Sequence, residues 1–169
     1  SPDGHLIRDP LSAHIPPRQA CDALVAALLN AGVHIQHDGP DKGAVLWATG
    51  VAGLEALNAR HTRTMGSGVK GQAALLRYDA AGLPQLFAGG VHVIPHLDGT
   101  VAIGSTSENT YDDPTSTDPQ LDNVIAAARA AVPALREAPV IARWVGVRPR
   151  ARSRAPMLGP WPDRSGHYI

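Results

Sequence analysis

Four groups of residues in this sequence have types and spacings that could do chemistry. The stretch TMGSGVKGQ (64–72) contains Gly66-x-Gly68-x-x-Gly71, the spacing of a loop that cradles a dinucleotide pyrophosphate. That chemistry needs a strand leading in and a helix leading out, so that the helix N-terminus faces the phosphates. Here 60–65 is polar, 72–78 reads as a strand, and 86–96 holds no acidic residue to take a ribose. The three glycines therefore read as a loop without a nucleotide role. Eight histidines raise the question of a metal, with His34-x-x-His37 and His92-x-x-x-His96 as the tightest pairs. Residues four apart on a strand lie ~13 Å from each other, too far to share an ion. No cysteine or carboxylate cluster joins them, so no metal site is expected. A Gly-x-Ser-x-Gly elbow is absent, which removes the support for a serine hydrolase. The carboxylates are scattered. Glu108 alone stands directly behind a strand end, and on its own it reads as a solvated or capping group.

Arg148 is the fourth group. It follows Trp144-Val145-Gly146-Val147 in a run whose alternation places Trp144, Gly146 and Arg148 on one face. A guanidinium beside a glycine at the end of a buried strand can grip a carboxylate through two parallel hydrogen bonds, each charged bond contributing ~1.5–3 kcal/mol. A structural salt bridge is the other explanation, and the sequence leaves both open.

The elements that must position these groups follow from hydrophobic pattern. Residues 17–31 form a helix with a stripe at Ala20, Cys21, Leu24, Val25, Leu28 and Leu29, opened by Pro17 and closed by Gly32. A short strand is expected at 33–35. The continuous apolar run at 44–50 fits a strand covered on both faces, as in parallel sheets, and 53–60 a short helix. Strands are expected at 72–78, 91–96 and 100–104, the last two joined across Asp98-Gly99 with both turn positions at positive φ. After a polar loop at 111–117, Asp118-Pro119 starts a helix with its stripe at Leu121, Val124, Ile125, Ala128 and Val132. A strand at 140–147 runs into a loop holding Arg150, Arg152 and Arg154. The fold class is mixed α+β: a largely antiparallel sheet with helices on one face.

The whole chain bounds the possibilities. Its 169 residues amount to about one domain, and 44% hydrophobic with 18% charged residues is a globular composition. With 15 basic and 15 acidic residues the formal net charge is zero, leaving no broad basic field for nucleic acid or an anionic membrane. No apolar run approaches the ~18 residues of a membrane span, and no signal-peptide pattern opens the chain. A single cysteine, Cys21, falls in the helical stripe and reads as a buried thiol. One cysteine fits a reducing compartment, so a cytoplasmic location is expected. The first residue is not methionine and the last four, GHYI, read as the start of a strand, so the expectation is a piece of a longer protein.

Four segments in order resemble the flavin-dependent family of D-amino-acid oxidase, glycine oxidase and sarcosine oxidase. VLWATG (45–50) resembles the strand that runs up to the flavin, and VKGQ (69–72) an Arg-Gly-Gln segment with Lys70 in place of arginine. HVIPHLDGTVAIGSTSE (92–108) resembles a hairpin ending in Gly-[Ala/Ser]-Thr, and WVGVRPRARSRAPMLGP (144–160) a Gly-Leu-Arg-Pro segment followed by Pro-x-x-Gly. The resemblance implies FAD as cofactor of the parent protein and an amino acid or small amine as substrate, oxidised by hydride transfer from its α-carbon. Arg148 matches the arginine that holds the substrate carboxylate. Ala48, Thr49 and Gly50 match residues whose backbone lies near the flavin, and Gly159 a glycine close to the same rings. Thr106, Glu108 and Tyr111 fall near the substrate pocket, and no catalytic side chain is implied. The family's N-terminal dinucleotide loop has no counterpart here, so the chain looks like the middle of such an enzyme. On this reading 1–60 belongs partly to a truncated, Rossmann-like FAD-binding domain, 61–148 is the substrate-binding sheet domain with a helix at 118–132, and 149–169 returns toward the cofactor domain. A homo-oligomer is compatible with the sequence. The alternative is a non-catalytic binding domain that has lost the cofactor half.

Overall fold

The longest strand shows why the sheet forms. From Val69 onward alternate side chains Lys70, Gln72, Ala74 and Leu76 are buried, the period-2 pattern of a strand with one covered face. The computed structural model describes residues 4–11 and 13–169. Its elements are α1 (Pro17–Asn30), β1 (Val45–Leu46), α2 (Gly50–Arg60), β2 (Gly66–Arg77), β3 (Leu86–Ala88), β4 (Val91–Pro95), β5 (Thr100–Gly104), α3 (Gln120–Ala131), a 3-10 turn (Pro133–Leu135), β6 (Val140–Ala151) and β7 (His167–Tyr168). Five strands form an antiparallel sheet in the order β3-β4-β5-β2-β6, while β1 and β7 pair in parallel as a separate ribbon. The mixed α+β architecture stands as read from the sequence.

Both α2 and α3 cover the same face of the sheet. The α3 side chains Leu121, Ile125 and Ala128 pack with Ala74, Leu76, Val93, Val101 and Ile103 in one apolar core. Under α2, the glycines of the GSG stretch let helix and strand approach. A Cβ on Gly66 would lie 3.0 Å from Leu54 Cδ2 of α2, and one on Gly68 would lie 3.1 Å from Val51 Cγ2 of α2. The G-x-G-x-x-G is thus strand, and not the loop expected. Its glycines serve packing, and the nucleotide reading fails as the sequence indicated.

Other expectations are corrected. Helix α1 forms, but none of its residues is buried, and Cys21 is exposed because nothing among the described residues covers the stripe. Residues 33–35 form no strand. Pairing in 44–50 is confined to Val45–Leu46, although its parallel sense is as expected. At Asp98-Gly99 only Gly99 takes positive φ, +77°. Asp98 instead accepts the Thr100 N–H and hydroxyl, which closes a longer turn. Strand β6 runs to Ala151, past the end expected at 147, and it is an edge strand and not a buried one.

Removing bulk from the core should cost far more than removing it from α1. Leu76→Ala, at a side chain 0% exposed, should lower stability by about 2–5 kcal/mol in urea titration. Leu28→Ser on α1 should change it by no more than about 0.5 kcal/mol. A larger Leu28 effect would mean that α1 is packed in solution.

Candidate functional site

The sheet face opposite the helices carries the first half of the site. Val69 and Gly71 of β2 point to this face, and across from them in register stand Arg148 and Gly146 of β6. On the other side of β2 the segment 105–109 continues the line of β5, with Glu108 bridged to Lys70 and the Thr106 N–H donating to the Gln72 carbonyl at 3.2 Å. Alternation then turns Ser107 and Asn109 toward the open face and Glu108 toward the helices. Two arginines cross β2 to reach them. Arg148 Nη2 donates to Ser107 Oγ at 3.1 Å, and Arg150 Nη2 donates to Asn109 Oδ1 at 2.8 Å. A Cβ on Gly71 would press on the Thr106 carbonyl at 3.3 Å and touch Arg148 Nη1 at 3.9 Å. Neither arginine forms an ion pair among the described residues. The salt-bridge explanation for Arg148 therefore has no partner to support it.

Beneath this face lies a buried polar cluster. Lys70 and Glu108 are 3% and 8% exposed, and Gln72 is 0% exposed. Lys70 Nζ lies 3.1 Å from Asp118 Oδ2 and 3.7 Å from Glu108 Oε2. Gln72 donates through Nε2 to Glu108 Oε1 at 2.9 Å and accepts the Asp118 N–H at 2.7 Å. Thr106 accepts the Gln72 N–H and donates its hydroxyl to Glu108. Glu108 is thus not the solvated group its sequence position implied. Thr106 and Glu108 point into this cluster, while Tyr111 is half-buried with its hydroxyl at Gly68. The pKa values follow from the contacts. Burial pushes Glu108 up, but hydrogen bonds from Thr106 and Gln72 and the charge of Lys70 bring it below its ordinary value. Hydrogen bonds from Gln72, the Gln120 N–H and Lys70 lower Asp118 to about 2. Burial opposes the Lys70 charge, and Asp118 and Glu108 more than offset it, so its pKa is raised.

The second half is a crevice of about 510 Å³ between the start of α2 and the end of β6. Ala48, Thr49 and Gly50 line it with Leu54, Met157 and Ile169. The N–H groups of Ala48 and Thr49 have no backbone carbonyl partner among the described residues, and Gly50 opens α2 at φ +61°. Arg154, also at the wall, is the one described non-glycine residue with positive φ, +63°. Gly159 stands behind the wall, exchanging two 3.0 Å backbone hydrogen bonds with Ile169. Trp47 fixes the approach: its Nε1 donates to His167 Nδ1 at 2.8 Å, and Arg164 lies over Trp47 and Trp161 at 5.2 and 5.4 Å. Free amides at a helix start, apolar walls and an open cleft fit a flat ring system with hydrogen-bonding edges. The described residues hold no cluster able to bind a metal, and no helix among them is long and apolar enough to cross a membrane.

Residues 2–169 match the family described as "DAO: FAD dependent oxidoreductase". The chain belongs to that family. Among its curated relatives, glycine oxidase of Pseudomonas aeruginosa is 36% identical over 102 residues, which cover 60% of this chain and 28% of that protein. The crystal structure of glycine oxidase from Geobacillus kaustophilus superposes with a TM-score of 0.61 at 29% identity, covering 74% of this chain and 34% of that one. Iminodiacetate oxidase from Chelativorans sp. BNC1 gives 0.73 at 20% identity over 90% of this chain and 48% of that one, a likeness of fold. This member of the oxidoreductase family therefore spans well under two-thirds of its relatives' length. Sequence reasoning missed Arg150, Ser107 and Asn109. The i, i+2 spacing of Arg148 and Arg150 was a signal for the first, while the other two depend on the β-like course of 105–109.

The buried cluster makes stability pH-dependent in a defined direction. Carboxylates with lowered pKa values stabilise fully above their unfolded range and lose that contribution as pH falls, for Asp118 between 3.8 and about 2. Lys70, raised above 10.5, contributes fully below that value. Lys70→Met should therefore be most destabilising near neutrality, with the gap to wild type narrowing toward pH 3 in urea midpoints. A gap independent of pH would show that the ion pairs carry none of it.

Proposed function

We propose that this chain forms the substrate-binding part of an FAD-dependent oxidase of amino acids or small amines, in which Arg148 holds the substrate carboxylate. The observation that carries this reading is a guanidinium on an open, glycine-paved face, held by a serine and paired with no carboxylate among the described residues. Arg148 keeps further N–H donors for a two-pronged grip. Gly71 and Gly146, opposite each other, leave room above the sheet for the substrate and a ring. The backbone of 48–50 and the Gly159 turn are the parts that would hold the flavin. Thr106 and Glu108 act by fixing the segment that carries Ser107, and Tyr111 borders the same region. A bound flavin would supply the acceptor for the hydride of the substrate α-carbon, so no acid–base side chain of this chain is assigned. The chain's own residues bind and orient.

The bare apolar stripe of α1 and the exposed Leu46, 68% accessible, support a part of a larger flavoenzyme over a self-contained binding module. The full-length parent loaded with flavin should show the visible flavin band and release hydrogen peroxide with an amino acid. Arg148→Ala should raise KM for that amino acid roughly 10- to 100-fold, the loss of one or more charged hydrogen bonds, while the flavin band is unchanged. A parent that cannot be loaded with flavin, or an Arg148 variant with wild-type KM, would sink the reading.

A further inference from the structure

The open face holds two guanidinium groups where one substrate carboxylate needs one. Arg148 and Arg150 are two residues apart on β6, so they share a face and stand roughly 7 Å apart along the strand. They form parallel rungs across β2, over Gly71 and Val69, to Ser107 and Asn109. Val69 under the second rung is 2% exposed, so the rungs lie across the sheet, with Arg148, Ser107 and Asn109 themselves exposed on its outer side. Each is held by a neutral acceptor, a hydroxyl or an amide oxygen, and neither has a carboxylate partner among the described residues. A neutral holder fixes the geometry and leaves the positive charge uncompensated. Between Ser107 and Asn109, Glu108 is locked into the Lys70–Gln72–Asp118 cluster, which sets the spacing of the two holders. Arg150 also borders the crevice that contains Gly50.

We infer that the substrate carries two anionic groups: an amine with a second carboxylate, the first taken by Arg148 and the second by Arg150. This rests on the proposed role of Arg148 and specifies the substrate class within it. The spacing suits carboxylates separated by a few bonds, as in acidic amino acids or N-carboxymethyl amino acids. A monocarboxylate would leave the Arg150 charge unpaired beside the apolar wall of the crevice.

The test uses the flavin-loaded full-length parent and substrate pairs that differ by one carboxylate: aspartate with alanine, glutamate with 2-aminobutyrate, each as both enantiomers, and N-carboxymethylglycine with N-methylglycine. In at least one pair the dicarboxylate should have the higher kcat/KM by about tenfold or more, the value of one charged hydrogen bond. Arg150→Gln should collapse that ratio through KM for the dicarboxylate. Competitive inhibition gives an independent reading: succinate should bind about tenfold or more tightly than propionate to the wild type, and Arg150→Gln should erase the difference. Equal or reversed preference in every pair overturns the inference, as does an Arg150→Gln ratio equal to wild type. Loss of the flavin band in Arg150→Gln with succinate still preferred also overturns it, and places Arg150 on the cofactor. If Arg148→Gln raises KM for both members of a pair while Arg150→Gln moves nothing, only this inference fails. If Arg148→Gln moves neither KM, the reading of Arg148 itself fails.

Discussion

One buried ammonium organises most of this chain. Lys70 sits on β2 between the carboxylates of Glu108 and Asp118, with Gln72 using its backbone and both ends of its side chain to tie the same groups together. Three parts of the chain meet there: the central strand, the 105–109 segment and the start of α3. An isolated charge in that position would be expelled or neutralised. A paired and hydrogen-bonded one is retained, and it fixes which residues on either side of Glu108 face outward. Remove the ammonium and two carboxylates confront each other under the sheet. The geometry of the open face follows from satisfying this cluster.

Strand β2 divides its labour by parity. Its even positions meet the helices: Gly66 and Gly68 admit α2, Lys70 and Gln72 engage the polar cluster, and Ala74 and Leu76 join the α3 core. Its odd positions, with Gly71 facing Gly146, keep the other face low enough for two arginine side chains to lie across it. Small residues therefore do opposite jobs on the two faces of one strand. On one they permit helix packing, and on the other they maintain vacant space. A single-residue slip of register would exchange the two sets, which makes the anchoring of Lys70 and Gln72 a constraint on function as well as on folding.

This division explains which features were legible in the sequence. The alternation of 72–78 and 91–104, and the apolar stripe of 118–132, report local burial directly, so the antiparallel sheet and α3 could be read without a structure. Arg148 could be singled out because its face is set by period 2 from Trp144. Glu108 could not, because its burial depends on Lys70 and Gln72, more than thirty residues earlier, and no local pattern encodes that meeting. The same reasoning accounts for α1. Its stripe is as periodic as that of α3, yet nothing among the described residues covers it, and periodicity alone does not reveal whether a partner is present. The GSG stretch read as a loop and is strand. Its spacing imitates a phosphate loop, whereas its cause is the close approach of α2.

The contrast between the two faces also bears on how a charge can be held ready. Lys70 is surrounded by carboxylates, and its charge is spent on structure. Arg148 and Arg150 are braced by Ser107 and Asn109, groups that can fix a guanidinium without cancelling its field. Had aspartates stood at those positions, the arginines would have been oriented equally well but neutralised, and an incoming carboxylate would have met a pair of carboxylates already in place. The chain places its neutral acceptors on the open side and its acidic one, Glu108, on the closed side of the same short segment. That alternation keeps two positive charges available on a sheet of a protein whose formal net charge is zero.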